Sequence, residues 1–349
     1  MLGFDRHTAR SVWTAALVLL SLVLAYQVRK TVFVFILAVL LAYLLSPLVD
    51  LLDRLLPTRT SRTAALAIAY VIFVGAIILF GSQVGSRVVE QANALSRRAP
   101  ELLRRWEQQA PPVAPATLSQ QVLERARREI LDRSGDLVSA LPRAGLQLLS
   151  YASNLIDIII VPVLAFFLLK DGHLIREQLL ELVDPGPRRA LLDDVMADVH
   201  LLLAHYMRAL VALSLTAFVC YSFAFSLIGV PYGVLLATTA CLLEFIPMLG
   251  PLAASVIVVV VAGLSGAPLG VVIPFLIGFR MFQDYVISPQ VMGKGVELHP
   301  ALVLFGVFAG AELAGIPGTF LSVPVPAAVR IVWVRIRKAR AAAREATLL

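Results

Sequence analysis

Charged residues are scarce in this sequence. Asp, Glu, Lys and Arg make up 15% of the 349 residues and hydrophobic residues 59%, whereas about 25% of the positions in a soluble globular domain are charged. Two stretches, residues 209–243 and 245–279, carry no charge at all. Runs of this kind require a lipid bilayer as their solvent. The composition therefore argues against a cytosolic enzyme and predicts an integral membrane protein.

Cysteine is nearly absent, and so are the motifs of several function classes. The two cysteines, Cys220 and Cys241, lie inside apolar runs, which argues against a secreted disulfide scaffold. The sequence contains no G-x-x-x-x-G-K-[ST], H-E-x-x-H or G-x-S-x-G motif and no Cys/His metal cluster. We therefore predict no enzymatic activity, no cofactor and no bound metal.

Acidic residues are outnumbered by basic ones, 23 to 30. The basic residues cluster beside the apolar runs, including a C-terminal group at residues 335–344, which is typical of cytoplasmic ends that face anionic lipid. The basic clusters are not interleaved with aromatic residues, and the sequence contains no nucleic-acid recognition motif, so no nucleic-acid partner is predicted. The expected partner of these cations is the lipid bilayer.

The hydropathy pattern predicts an all-α, polytopic transmembrane protein with two polar amphipathic helical segments. Its predicted segments are three N-terminal transmembrane helices (1–81), a polar helical insert (82–150), a fourth transmembrane helix (151–169), amphipathic helices (170–205), C-terminal transmembrane helices with broken hairpins (206–334) and a basic tail (335–349). Pro100 and the prolines near residue 112 are expected to break the insert into short helices. From residue 188 an apolar pattern continues into the next span, which predicts one long helix.

The two uncharged runs are too long to be single transmembrane helices. Each would span about 52 Å as unbroken helix, against roughly 30 Å of hydrocarbon. Glycines and prolines predict breaks at residues 229–233, 247–251 and 315–318. The resulting hairpins, 232–264 and 300–334, could be re-entrant or could cross fully. Either outcome keeps both termini on one side, which we predict to be the cytoplasm, and places the insert outside.

A small set of ionisable residues lies at predicted membrane depth: Asp157, Glu244, Arg280, Asp284 and Glu312. An unpaired charge there costs about 2.5–3.5 kcal/mol, so such groups usually face a partner, a cavity or a pathway. Arg280 and Asp284 are four residues apart and are expected to pair, either as a structural ion pair or in gating. Asp157 is a possible functional residue or a snorkelling one.

Glu244 is the most informative of these residues because a helix breaker follows it. Pro247, Gly250 and Pro251 remove a backbone donor and permit unusual backbone angles, so they unwind the helix beside a carboxylate. Transporters build midplane sites in this way. The sequence predicts a transport-pathway site at these four residues, with an interfacial anchor at a kinked loop as the alternative.

The last hydrophobic block repeats this pattern. Glu312 lies three residues before the break at 315–318, and we predict that it joins the transport pathway. Gly306 and Gly310, like Gly229 and Gly233, have the spacing that permits close helix packing. This spacing gives weak support to a homo-oligomer.

The stretch 244–251 resembles the E-x-I-P-x-x-G-P signature of the autoinducer-2 exporter family of bacterial membrane transporters. Further matches in order are Ser46 with Pro47, residues 167–172, 287–293, 298–300 and 315–318, and Val323 with Pro324. The family's usual D-N pair is Asp284 followed by Tyr285 here. The resemblance covers nearly the whole chain.

The resemblance implies a multi-pass protein of the bacterial inner membrane that forms a homo-oligomer. It also implies efflux of the quorum-sensing signal autoinducer-2 or, as in other members, exchange of sodium or lithium for protons. His299, inside one matching stretch, becomes a possible further site residue. The resemblance does not separate these substrates.

Three functions remain open from the sequence. The first is a secondary transporter that exports a small polar solute. The second is an antiporter that exchanges a monovalent cation, sodium or lithium, for protons, since a carboxylate that binds either one needs no further machinery. The third is a membrane scaffold that recruits partners through residues 82–150 and 170–205.

Overall fold

The computed structural model describes residues 6–56, 62–108, 155–292 and 298–348. Within these ranges the regular secondary structure is helical, with no strand. The predicted all-α fold is confirmed. Most of the predicted insert, residues 109–150, lies outside the described residues.

The described ranges form twelve α-helices. In chain order they are α1 (Arg6–Gln27), α2 (Arg29–Leu55), α3 (Arg62–Phe80), α4 (Ser86–Gln108), α5 (Leu155–Glu181), α6 (Pro187–Ile228), α7 (Gly233–Leu243), α8 (Leu249–Leu264), α9 (Leu269–Phe282), α10 (Ser288–Met292), α11 (Pro300–Phe320) and α12 (Pro324–Leu348). Two π-helical turns, Gly81–Gly85 and Gln283–Ile287, join α3 to α4 and α9 to α10.

Four helical stretches of the described chain are long and apolar enough to cross a bilayer: Arg29–Leu55, Arg62–Leu102, Pro187–Ile228 and Leu269–Val291. Helices α7 and α8 have 11 and 16 residues, so they are about 16 and 24 Å long, shorter than the roughly 30 Å of hydrocarbon. Their length favours a re-entrant hairpin over two full crossings. The side of the membrane on which the termini lie stays a prediction.

Helix α6 is the long helix expected from the sequence. It runs unbroken for 42 residues, about 63 Å, and ends where Gly229 adopts a left-handed conformation with φ of 76°. The main core lies between the apolar half of α6 and helices α7, α8 and α9. The predicted break at residues 229–233 is confirmed.

Helix α4 does not break at Pro100, contrary to the sequence prediction. Pro100 is exposed, so water can hydrate the carbonyl that its missing N–H leaves free.

Leu95 of this helix is 1% exposed and lies in the main core. The Gln91 Oε1 atom accepts a hydrogen bond of 2.8 Å from the backbone N–H of Leu235, in the first turn of α7. Helix α4 therefore holds the start of the α7–α8 hairpin.

Glycines permit close packing where the chain folds back at the break in α11. Gly315 breaks α11 with φ of 66° and ψ of −145°, which confirms the predicted break at 315–318. A Cβ atom on Gly310 would lie 2.2 Å from the Gly318 carbonyl oxygen, and one on Gly306 would lie 2.8 Å from the Ser322 carbonyl oxygen. These two glycines serve packing within the chain, and the homo-oligomer stays a prediction.

Candidate transport site

A cavity of about 720 Å³ lies between α6, α9, α11 and α12, beside the turn that joins α7 to α8. Five residues predicted from the sequence line it: Glu244, Pro247, Pro251, Arg280 and Asp284. The fold therefore brings residues from separate parts of the chain to one place. Gly250, Glu312 and His299 do not line it.

The turn between α7 and α8 has an unusual backbone. Helix α7 ends at Leu243, and Met248 adopts φ of 64° and ψ of −53°. The backbone N–H of Leu249 donates a 2.7 Å hydrogen bond to the carbonyl of Pro247, which is the bond of a γ-turn centred on Met248. The predicted interruption of the helix beside Glu244 is confirmed.

We expect the M248G variant to be more stable than the wild-type protein. A non-glycine residue in this conformation costs about 1–3 kcal/mol, whereas glycine adopts it freely and costs about 0.5–1 kcal/mol in backbone entropy. Met248 is 46% exposed, so little packing is lost. The net gain should be about 1 kcal/mol, measured as a higher thermal unfolding midpoint in detergent. The control is M281G, because Met281 lies inside helix α9 and its side chain is 56% exposed. This variant should lose about 1 kcal/mol of stability. Equal losses in both variants would show that the backbone of Met248 is unstrained.

Gly250 supports the turn and does not line the cavity. An added Cβ atom would lie 1.7 Å from the carbonyl oxygen of Leu243 and 2.7 Å from its carbonyl carbon. The start of α8 therefore touches the last turn of α7 at a distance that only glycine permits. This contact holds Glu244, which directly follows Leu243, at the edge of the cavity.

Glu244 is largely shielded, with its side chain 10% exposed. Its Oε1 atom accepts a 2.8 Å hydrogen bond from Nε2 of Gln283, and the same oxygen lies 3.8 Å from Nη1 of Arg280. Gln283 is itself 2% exposed. The carboxylate is therefore held by one neutral donor and one more distant cation.

Arg280 and Asp284 pair as predicted. Nε of Arg280 donates to Oδ2 of Asp284 at 2.8 Å, and Nη2 lies 2.7 Å from Oδ1, so the pair is bidentate. The third nitrogen, Nη1, is buried without a hydrogen-bond partner. Two carboxylates and one guanidinium leave this cluster with one excess negative charge when both acids are ionised.

The π-helical turn Gln283–Ile287 contributes to this arrangement. Such turns are rare and occur frequently at functional sites. Arg280, Gln283, Asp284 and Ser288 all line the cavity around this turn. Gln283 was not predicted from the sequence, because the side chains expected to carry charge or bind a ligand were all ionisable; an uncharged polar residue beside Asp284 was the available signal.

A second ion-pair cluster closes another part of the cavity wall. Arg335 of α12 donates from Nε and Nη2 to the two carboxylate oxygens of Asp198 at 2.6 and 2.9 Å, and from Nη1 to Asp194 at 3.0 Å. Asp198 lines the cavity. From the sequence, Arg335 was predicted to face lipid. Its pairing was not predicted because its partners lie 137 and 141 residues away.

Two predicted residues, Glu312 and His299, do not line the cavity. Glu312 lies on an exposed stretch of α11. His299 is exposed and caps the start of α11, where its Nδ1 accepts a 3.2 Å hydrogen bond from the backbone N–H of Ala301. Helix α5 includes Asp157, but the side chain of Asp157 lies outside the described residues.

In the part of the chain that is described, no three His, Cys, Asp or Glu side chains form a group that could hold a metal ion.

Comparison with known proteins shows that this chain is similar to a family of transporters. The family model described as AI-2E family transporter matches residues 15–338. YueF of Bacillus subtilis, named as a transport protein, is 22% identical over 87% of this chain and 84% of its own length. MT0215 of Mycobacterium tuberculosis, named likewise, is 27% identical over 92% and 88%. PerM of Escherichia coli K12, named as a permease, is 28% identical over 84% of each chain.

Proposed function

Because the chain belongs to the AI-2E family of transporters, we propose that it is a secondary transporter that exports a small polar solute through the cavity beside Glu244. The observation that carries the proposal is the 10% exposed Glu244 carboxylate, which stands next to a broken helix and lines a cavity of about 720 Å³. A carboxylate at membrane depth is costly and usually belongs to a pathway. The family name suggests an autoinducer-2-like signal as the solute.

Glu244 supplies a means of coupling. A protonated carboxyl group is neutral, whereas an ionised one attracts a cation or accepts hydrogen bonds from a bound solute. A proton and a solute that need the same carboxylate oxygen oppose each other's binding, and this opposition is reciprocal. If each is carried across the membrane in turn, entry of protons drives exit of the solute. This direction of transport fits the bacterial cytoplasmic membrane. We further propose that both termini lie in the cytoplasm.

Exchange of sodium or lithium for protons is a second candidate. The observation in its favour is the excess negative charge of Glu244 and Asp284 over Arg280. A monovalent cation would replace the proton at Glu244. This function uses the same carboxylate, so both candidates depend on the same residue.

We expect the E244Q variant to lose flux, to the level of protein-free liposomes. The amide keeps the size of the side chain and can keep an acceptor for Gln283, but it can neither release a proton nor carry charge. The measurement uses proteoliposomes with imposed proton and sodium gradients. Autoinducer-2 efflux is followed in one series, and the internal pH after sodium or lithium addition in the other.

The matched control is E312Q, which changes the carboxylate beside the other helix break. Glu312 does not line the cavity, so this variant should transport like the wild-type protein. Wild-type flux through E244Q at equal reconstitution would overturn the proposal. Loss of flux in E312Q alone would place the pathway at the α11 break instead.

A further inference from the structure

The polar side chains that line the cavity are not equally available to a ligand. Asp198 is held by Arg335, Nδ1 of His205 lies 2.7 Å from the carbonyl of Leu201 in its own helix, and Tyr206 donates to the carbonyl of Phe320 at 3.3 Å. These groups already have partners within the protein. The polar groups that a ligand could contact are therefore concentrated in the Glu244 cluster, which consists of Glu244, Arg280, Gln283 and Asp284.

The charge of that cluster is located at Glu244. Asp284 is neutralised by the bidentate contact with Arg280. Glu244 receives its hydrogen bond from the neutral amide of Gln283, and Arg280 approaches it only to 3.8 Å without a hydrogen bond. The cluster is therefore complementary to a positively charged group.

The rest of the cavity wall is mostly apolar. Its side chains include Leu201, Leu210, Leu213, Val303, Val323 and Ile331, which come from α6, α11, the turn after α11, and α12. A volume of about 720 Å³ is far larger than a bare monovalent cation and lies within the roughly 300–1,000 Å³ of pockets for small organic molecules. Apolar walls of this size favour a ligand with an apolar body.

From these observations we infer that the cavity binds an amphiphilic organic cation, with its positive group beside Glu244 and its apolar body against α6, α11 and α12. This inference rests on the proposed transport function, and it assigns an amphiphilic organic cation as the solute in place of the small polar, autoinducer-2-like solute that the family name suggests. A solute of this class displaces the proton from Glu244 by charge, and the apolar walls hold the part of the molecule that water solvates poorly.

The inference is tested by equilibrium binding to the full chain in lipid nanodiscs, with empty nanodiscs subtracted. The probe is tetraphenylphosphonium. Tetraphenylborate has nearly the same shape and the opposite charge, and tetramethylammonium has the charge without the apolar body. We expect saturable binding of tetraphenylphosphonium and at least tenfold weaker binding of the other two ions. E244Q should weaken tetraphenylphosphonium binding at least tenfold, and L213S should weaken it several-fold.

A second readout locates the bound probe. In a background of C220A and C241A, a cysteine introduced by L213C should react with a maleimide more slowly when tetraphenylphosphonium is present. A cysteine introduced by S96C, on the exposed surface of α4, should react at an unchanged rate. Tetraphenylborate should protect neither position.

Equal binding of tetraphenylborate and tetraphenylphosphonium, or unchanged affinity in E244Q, would overturn the inference. Its failure can be separated from failure of the proposed function. If E244Q abolishes flux while tetraphenylphosphonium does not bind the wild-type protein, the transport function stands and the solute class is wrong. If tetraphenylphosphonium binds as expected while E244Q transports normally, the solute class stands and the coupling role of Glu244 is wrong.

Discussion

The G250A variant should yield little folded protein in the membrane. The added Cβ atom would lie 1.7 Å from the carbonyl oxygen of Leu243 and 2.7 Å from its carbonyl carbon. Both neighbours are backbone atoms at a helix end, so neither can rotate away as a side chain could. Inserting a methyl group into a packed interior typically costs about 1–3 kcal/mol, and a backbone clash of this depth should reach or exceed the upper end of that range.

The control for this variant is G278A. Gly278 lies in helix α9, and an added Cβ atom would meet nothing within 4 Å. Alanine there should be neutral or should stabilise the protein by up to about 1 kcal/mol through its helix propensity. The measurements are the yield of monodisperse protein by size-exclusion chromatography and the thermal unfolding midpoint. If G250A matches G278A in both, the close contact between α7 and α8 does not exist.

Any G250A protein that does fold should also lose transport. Separating the start of α8 from the end of α7 moves Leu243, and Glu244 is its neighbour in the chain. The hydrogen bond of 2.8 Å from Gln283 would lengthen, because Gln283 is on a different helix. A stability defect and a transport defect should therefore appear together, which is not expected for a residue that only lines the cavity.

The helix breaks were predictable because their causes are local. Gly229, Gly315 and the Pro247–Pro251 motif act on the backbone within a few residues, and each produces a break at the predicted place. The bidentate pair of Arg280 and Asp284 was predictable for the same reason, since a spacing of four residues fixes neighbours on a helix. The same local reasoning wrongly predicted a break at Pro100, where the helix continues because the residue is exposed to solvent.

The rest of the site depends on contacts between distant parts of the chain. Gln283 reaches Glu244 across 39 residues, and no sequence pattern within one helix indicates such a partner. Glu312 has a local pattern much like that of Glu244, with an acid three residues before a break, yet it lies outside the cavity. The difference comes from what packs around each break, because burial is decided by neighbouring helices.

The R335E variant should loosen the cavity wall formed by α12. Arg335 makes three charge-assisted hydrogen bonds to Asp194 and Asp198, and reversal of its charge would place a third carboxylate beside them. Hydrogen bonds to charged groups are among the stronger ones in proteins. Because Arg335 is 32% exposed, solvent screening weakens these bonds, and we expect a decrease in the free energy of unfolding that is measurable as a lower thermal unfolding midpoint.

Exchanging the charges of Asp198 and Arg335 tests whether the loss of stability comes from this ion pair or from another effect of the R335E substitution. The double variant D198R with R335E restores an opposite pair and leaves Asp194 beside the new arginine, so it should recover at least half of the lost stability. R337E, an exposed position on the same helix, should change stability by less than about 0.5 kcal/mol. Since Ala327 and Ile331 of α12 line the cavity, R335E should also speed maleimide labelling of a cysteine introduced by L213C. Equal behaviour of R335E and R337E would show that apolar contacts alone hold α12, and the cavity would then be closed independently of this charged cluster.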